Sequence, residues 1–213
     1  MALEEKKISY LTQNTYATLN ELTSKTTYVW VIFHGIGFLS KYFLKYFEGL
    51  DPEENYIIAP QAPSKYYLNG QYKHVGASWL TKENTAAEIN NLMSYLDSVM
   101  DKEDLPENCR LVVFGYSQGV SIAMRWVAQR NIQCDHLILY AGGIPNELTK
   151  DQLKHLDDHC SVKIIMGDKD EYLTEERMEH ELNKIDLLFE GRANLQLYDG
   201  GHEIKKEIIN NLP

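Results

Sequence analysis

"RLVVFGYSQGVSIAMRW" (Arg110–Trp126) changes character twice within a few residues. Leu111–Phe114 is an unbroken apolar run, the pattern of a strand buried on both faces. From Val120 onward the stretch is apolar nearly all round, as in a central, well-covered helix. Between the two, Ser117 stands between Gly115 and Gly119. Strand, tight turn, helix is the context that a nucleophile elbow requires. The glycines let strand and helix backbones approach closely while the serine sits on a strained turn. Its hydroxyl then projects at a helix N-terminus, where the N–H of Gln118 points at any oxyanion formed there. A bare G-x-S-x-G arises by chance in roughly one chain in ten of this size. A plain turn with a capping serine is the bland alternative, so the rest of the chain must decide.

Similar apolar runs recur on both sides: "YVWVIF" (28–33), "YIIA" (56–59), "LILY" (137–140), "VKIIM" (162–166) and "LQLY" (195–198). Helical patterns alternate with them. In "TKENTAAEINNLMSYLDSVM" (81–100), Ile89, Leu92, Met93, Leu96, Val99 and Met100 make one stripe at 3/4 spacing. "YLTEERMEHELNKIDLLF" (172–189) and "EIKKEIINNL" (203–212) are further helix candidates. The alternation predicts one α/β domain over residues 1–213, a doubly wound, mostly parallel sheet with helices on both faces. Residues 1–26 alternate more weakly and are expected to form an antiparallel edge hairpin. Pro60–Trp79 reads as one long irregular segment, which in a compact domain is usually functional or mobile. The space between "AGGIP" (141–145) and "VKIIM" holds about one helix, so no cap domain is expected.

The composition excludes several classes. The 213 residues are 44% hydrophobic, enough for a sizeable core, and carry 31 acidic against 21 basic residues, a net charge of −10. That balance argues against nucleic acid and anionic membrane surfaces as partners. "MALEEKKISY" lacks the basic start and apolar core of a signal peptide, and no apolar run approaches a membrane span. A cytoplasmic protein is expected. Cys109, Cys134 and Cys160 are then expected as reduced thiols, with no disulfide framework and no zinc site.

A serine hydroxyl needs a base. His136 precedes a strand, His155 and His159 lie in a polar stretch with helical character, and His180 falls mid-helix; each reads as a solvated or satisfied surface histidine. His74 lies in the long segment, where it could touch substrate. His202 follows "LQLYDGG", just past a strand's C-terminal end, where open α/β sheets build their sites. It also comes last, matching the order serine, acid, histidine. The acid should end another strand, and "VKIIMGDKDEYL" offers Asp168, Asp170 and Glu171, among which spacing does not choose. Asp199 shares the turn of His202 and is poorly placed to face its ring. "VWVIFHGIGFLS" supplies a second oxyanion loop, in which glycine lets a backbone N–H turn inward. His34 there reads as a structural ring that shapes the loop.

Taken together, "FHGIG", "IIAPQAP", "GYSQG", "AGGIP", "GDKDEYL" and "YDGGHEI" resemble, in order and spacing, the phospholipase/carboxylesterase family of α/β-hydrolases. That family includes the acyl-protein thioesterases. The match runs from about Trp30 to the C-terminus. The resemblance implies Ser117 as nucleophile, His202 as base and Asp170 as acid, the last by its place in a G-x-x-D pattern starting at Gly167. It implies oxyanion donors on the backbone of Ile36 and Gln118, and Trp79 near the acyl-binding face. The chain departs from the family where His and Pro are missing around Asp170, where Phe38 replaces an acidic residue common in thioesterases, and in a tyrosine-rich stretch (Tyr66, Tyr67, Tyr72). These departures bear on the substrate more than on the chemistry.

The expectation is therefore a cofactor-free, metal-free serine hydrolase of carboxylic esters or thioesters. Trp79, Tyr72 and His74 are expected to line an aromatic rim suited to acyl or aryl groups. Its partners would be small-molecule or acyl esters, without stable membrane insertion; a homodimer is compatible with this. Two rivals stand beside it: a non-catalytic binding module on a hydrolase scaffold, and an acyltransferase or lactone hydrolase using the same triad.

Overall fold

The computed structural model describes residues 3–156 and 158–213. Seven strands form one sheet in the order β1-β3-β2-β6-β7-β8-β9. They are β1 (Tyr16–Leu19), β2 (Tyr28–Phe33), β3 (Asn55–Pro60), β6 (Arg110–Tyr116), β7 (His136–Tyr140), β8 (Ser161–Gly167) and β9 (Ala193–Tyr198). All neighbours pair in parallel except β1, which runs antiparallel to β3. All six apolar runs of the sequence lie in these strands. Strands that are buried on both faces have no reason to alternate polar and apolar residues, which is why the runs were readable.

The pleat sends successive side chains to opposite faces, and each face is covered. Val29, Val31 and Phe33 of β2 pack with Val113 against α2 (Thr85–Met100) and α3 (Gln118–Arg130), and α4 (Glu175–Phe189) closes the same layer through Ile185, Leu188 and Phe189. Trp30, Ile32 and Phe114 face the other way, onto Phe43 of the short helix α1 (Ser40–Phe43), Phe47 just beyond it, and Ile209 of α5 (Lys206–Ile209). The stripe expected in α2 is the one buried: Leu92, Met93, Leu96 and Val99. Asn131, in the left-handed region at φ 48°, ends α3. Among the described residues, no helix is long and apolar enough to cross a membrane.

Four expectations need correction. No hairpin occupies residues 3–26: β1 is a lone edge strand, antiparallel to β3, and the stretch before it exposes Ile8, Tyr10 and Leu11 and among the described residues forms no strand to pair with it. Residues 1 and 2 of that expected hairpin lie outside the described residues. Pro60–Trp79 is not irregular throughout. It folds into a two-stranded antiparallel ribbon, β4 (Ser64–Tyr67) against β5 (Val75–Ser78), closed by a turn in which Asn69 and Gly70 have φ of 57° and 63°. The C-terminal helix is confined to Lys206–Ile209. Among the described residues, the stretch holding His155 has only a single 3₁₀ turn, Lys150–Leu153.

Candidate active site

The turn between β6 and α3 holds Ser117 at φ 53° and ψ −118°, a conformation that L-residues rarely adopt. It is over-determined by its surroundings. Ser117 N–H donates to the Tyr140 carbonyl at 2.8 Å, and Val120 N–H donates to the Ser117 carbonyl at 3.0 Å. Gly119 lets α3 close onto β2, since a Cβ there would stand 2.0 Å from the Phe33 carbonyl oxygen. The small residue in the second half of G-x-S-x-G is thus a packing requirement of the elbow.

His202 arrives from the loop after β9, and Asp170 from the loop after β8. His202 Nδ1 lies 2.8 Å from Asp170 Oδ2, and Nε2 lies 2.9 Å from Ser117 Oγ. A carboxylate only accepts, so Nδ1–H donates to Asp170 and Nε2 is left to accept the serine proton. The Asp170 side chain is 1% exposed and the His202 side chain 20%. Tyr172 N–H holds the other carboxylate oxygen, Oδ1, at 2.9 Å. Asp168 is committed elsewhere, accepting from Gly200 N–H at 3.0 Å. Asp199 pairs with Lys169. Of the carboxylates that the sequence left open, Asp170 is the one that meets the imidazole.

Aromatic contacts fix the His202 ring. Tyr116 stacks beneath it at 5.6 Å between centroids, and Tyr172 meets it edge-on at 4.8 Å. The Tyr116 hydroxyl donates to the His202 carbonyl at 3.2 Å. Burial, aided by the nearby charges of Asp170 and Glu203 among others, drives the Tyr116 phenol well above its ordinary range, so it stays a donor. Tyr198 OH holds the Glu203 carbonyl at 2.6 Å and tethers the same loop.

The loop after β2 brings the second N–H. Gly37 N–H donates to Ala77 of β5 at 2.8 Å, and Phe38 N–H donates to Gly35 at 3.3 Å. Among the described residues, the N–H groups of Ile36 and Gln118 have no protein acceptor. His34 anchors this loop from below. Ala62 N–H donates to its Nε2 at 3.2 Å and its Nδ1–H donates to the Gly35 carbonyl at 2.8 Å. Burial lowers its pKa to about 4, so the ring is neutral.

The expected rim divides. Trp79 is not part of it. Trp79 is fully buried, its ring 4.8 Å from that of His34 and 5.7 Å from Phe33, and its Nε1–H donates to the His34 carbonyl at 2.7 Å. It is a support under the loop after β2: the large indole is better satisfied between strand and loop than in solvent. Tyr72 is 87% exposed and leans on Tyr67, with centroids 5.0 Å apart. His74 lies on a groove beside Gly37 and Phe38. No pattern in the sequence assigns a role to the Gln118 side chain, and it has one. Its Oε1 accepts from Trp79 N–H at 2.8 Å, and its Nε2–H donates to Leu80 at 2.8 Å and to Ser78 Oγ at 3.1 Å. It staples the end of β5 to the elbow. A polar residue next to Ser117 and facing a nearby loop was the available signal.

A mostly parallel sheet, an elbow after a central strand, and acid and histidine loops after later strands define an α/β-hydrolase fold. Solved structures agree. Acyl-protein thioesterase 2 from Zea mays superposes with a TM-score of 0.65 at 15% identity, covering 93% of this chain and 95% of its own. A phospholipase/carboxylesterase from Dyadobacter fermentans DSM 18053 gives 0.62 at 16%, covering 95% and 97%. The Bacillus cereus carboxylesterase gives 0.65 at 17%, covering 92% and 90%. Neither a protein-family model nor a curated protein matches the sequence. These neighbours carry the names of the family that the motifs resemble; at such identities the likeness establishes the fold.

Proposed function

We propose that the chain is a serine hydrolase that cleaves carboxylic esters or thioesters through an acyl-enzyme. The observation that carries this is the continuous line from Ser117 Oγ to His202 Nε2 at 2.9 Å and from His202 Nδ1 to Asp170 at 2.8 Å. In this reading Ser117 Oγ attacks the carbonyl carbon and His202 Nε2 takes its proton. Asp170 keeps the imidazole in the required tautomer and stabilises its protonated form. The oxyanion is held by the N–H groups of Ile36 and Gln118, which no protein acceptor competes for among the described residues. The imidazolium returns its proton to the leaving alcohol or thiol. Water, deprotonated by the same nitrogen, then releases the acid. The esterase and thioesterase names of the structural neighbours support the reaction class.

The test is labelling with a fluorophosphonate probe alongside hydrolysis of 4-nitrophenyl esters, each with wild type and Ser117→Ala. Wild type should label and turn over, and the variant should do neither. An unlabelled wild type, or a variant with comparable turnover, would rule the mechanism out.

A further inference from the structure

Beside the oxyanion loop runs a groove of about 540 Å³, within the size range of small-ligand sites. Phe38, Tyr42, Leu68 and Val75 give it apolar walls. Its basic side chains are Lys41, Lys73 and His74, Tyr42 is its other titratable group, and no carboxylate lines it. On a chain with 31 acidic and 21 basic residues, that local balance runs against the whole. Some lysines elsewhere meet carboxylates, as Lys25 meets Glu53 and Lys206 meets Glu48; what sets Lys41 and Lys73 apart is that they share one groove. Among the described residues neither Lys41 nor Lys73 forms an ion pair; Lys41 Nζ instead stands 5.0 Å from the centre of the Tyr42 ring.

The sheet order says which part of a substrate would enter. Ser117 follows β6. Asp170 and His202 follow β8 and β9 on one side of it, whereas the groove is built from the segments after β2 and β3, on the other side. The leaving oxygen or sulfur must face His202 Nε2 to be protonated. The side of the elbow away from His202, where Gly37 and Phe38 line the groove, is then open to the acyl arm. We propose that this groove selects acyl arms that are apolar along their length and end in an anionic oxygen group, a carboxylate or a phosphate, received by Lys41 and Lys73. The proposal rests on Ser117 acting as the nucleophile.

The experiment compares kcat/KM for three esters with one leaving group: 4-nitrophenyl heptanoate, mono-4-nitrophenyl adipate and 4-nitrophenyl 6-(phosphonooxy)hexanoate. The readout is the ratio of anionic to neutral ester. Both lysines are exposed, so their replacement leaves the core untouched. In Lys41→Ala/Lys73→Ala the ratio should fall about tenfold, two partly screened charges acting together. In Lys41→Glu/Lys73→Glu it should fall further, and salt at about 0.5 M should bring the wild-type ratio down. The adipate and phosphate arms tell which anion is preferred. Ratios unchanged by either double variant would overturn the proposal while leaving the hydrolase reading intact. Failure of wild type to cleave any of the three would strike the hydrolase reading instead. Titration of Ser117→Ala with the intact esters then still decides the groove: tighter binding of the anionic arms, lost in the double-lysine background, upholds it, and equal binding of all three refutes it.

Discussion

Two histidines end up beside the same serine turn, each in a loop just past a sheet strand, and they are used in opposite ways. His34, after β2, spends both ring nitrogens on backbone, accepting from Ala62 N–H and donating to the Gly35 carbonyl. His202, after β9, spends neither on backbone: one nitrogen meets a carboxylate and the other a hydroxyl. The first is fully buried and keeps its pKa near 4, so it is a neutral structural pin. The second keeps a partly open face with an acid behind it, which is what a base requires. The contrast teaches that position at a strand end is not sufficient. The partners of the two nitrogens decide the role.

The strongest way to break the comparison is to remove what His202 serves. Ser117→Ala should lower kcat for ester hydrolysis by about a millionfold, the scale measured for nucleophile loss in another triad enzyme, with circular dichroism unchanged. Next comes what orients His202. Asp170→Asn should cost about 10⁴-fold in kcat, because an amide stabilises the wrong tautomer. Asp168→Asn removes a charge but keeps an Oδ1 that can still accept from Gly200 N–H, so it should stay within about tenfold of wild type. Steady-state kinetics on one 4-nitrophenyl ester decides both; equal losses would dissolve the distinction between the two carboxylates.

The same contrast marks what the sequence could reveal. The strands β2, β3, β6 and β7 were legible because each holds an unbroken run of apolar residues, and β8 and the edge strand β9 because only a single Lys163 or Gln196 interrupts theirs. Ser117 and His202 were legible because turn chemistry and chain order converge on them. Spacing left Asp170 as one of three carboxylates, and only the family resemblance picked it; in the fold Asp168 turns toward Gly200 and Asp170 meets the His202 ring. Trp79 was set at the rim on the family resemblance alone, and its burial and its contacts with His34 make it a brace instead. The β4–β5 ribbon was missed because its first strand is fully exposed and leaves no apolar pattern. The Gln118 staple depends on the course of the Ser78–Leu80 backbone, which no local pattern encodes.

His34 can be tested without touching turnover. Its folded pKa, lowered by desolvation to about 4, lies below the ordinary 6.5. Between those values the unfolded chain binds a proton that the folded chain does not. The contribution is therefore complete above about pH 6.5 and is lost as pH falls toward 4. The full difference corresponds to about 3 kcal/mol. Urea unfolding at pH 7 and pH 4.5 should show wild type losing more stability than His34→Gln over that interval. Equal losses would mean that His34 is not held neutral by burial.

The smallest expected effect sharpens the comparison most, because it concerns the joint between the two histidine loops. Gln118 donates its backbone N–H to the candidate oxyanion site and uses its side chain to hold Trp79, which in turn braces the His34 carbonyl. Gln118→Ala keeps the backbone N–H but leaves the Trp79 N–H without its side-chain acceptor and the Leu80 carbonyl with Ser78 Oγ alone, a cost of about 1–3 kcal/mol in stability. Gln118→Glu still accepts from Trp79 but cannot donate to Leu80, so it should fall between alanine and wild type in Tm. If the staple positions the oxyanion loop, kcat should drop about tenfold in Gln118→Ala. It should recover partly in Gln118→Glu, with KM little changed in both. If the side chain only stabilises, Tm should follow that order while kcat stays at the wild-type value, and the two loops would be joined mechanically but not functionally.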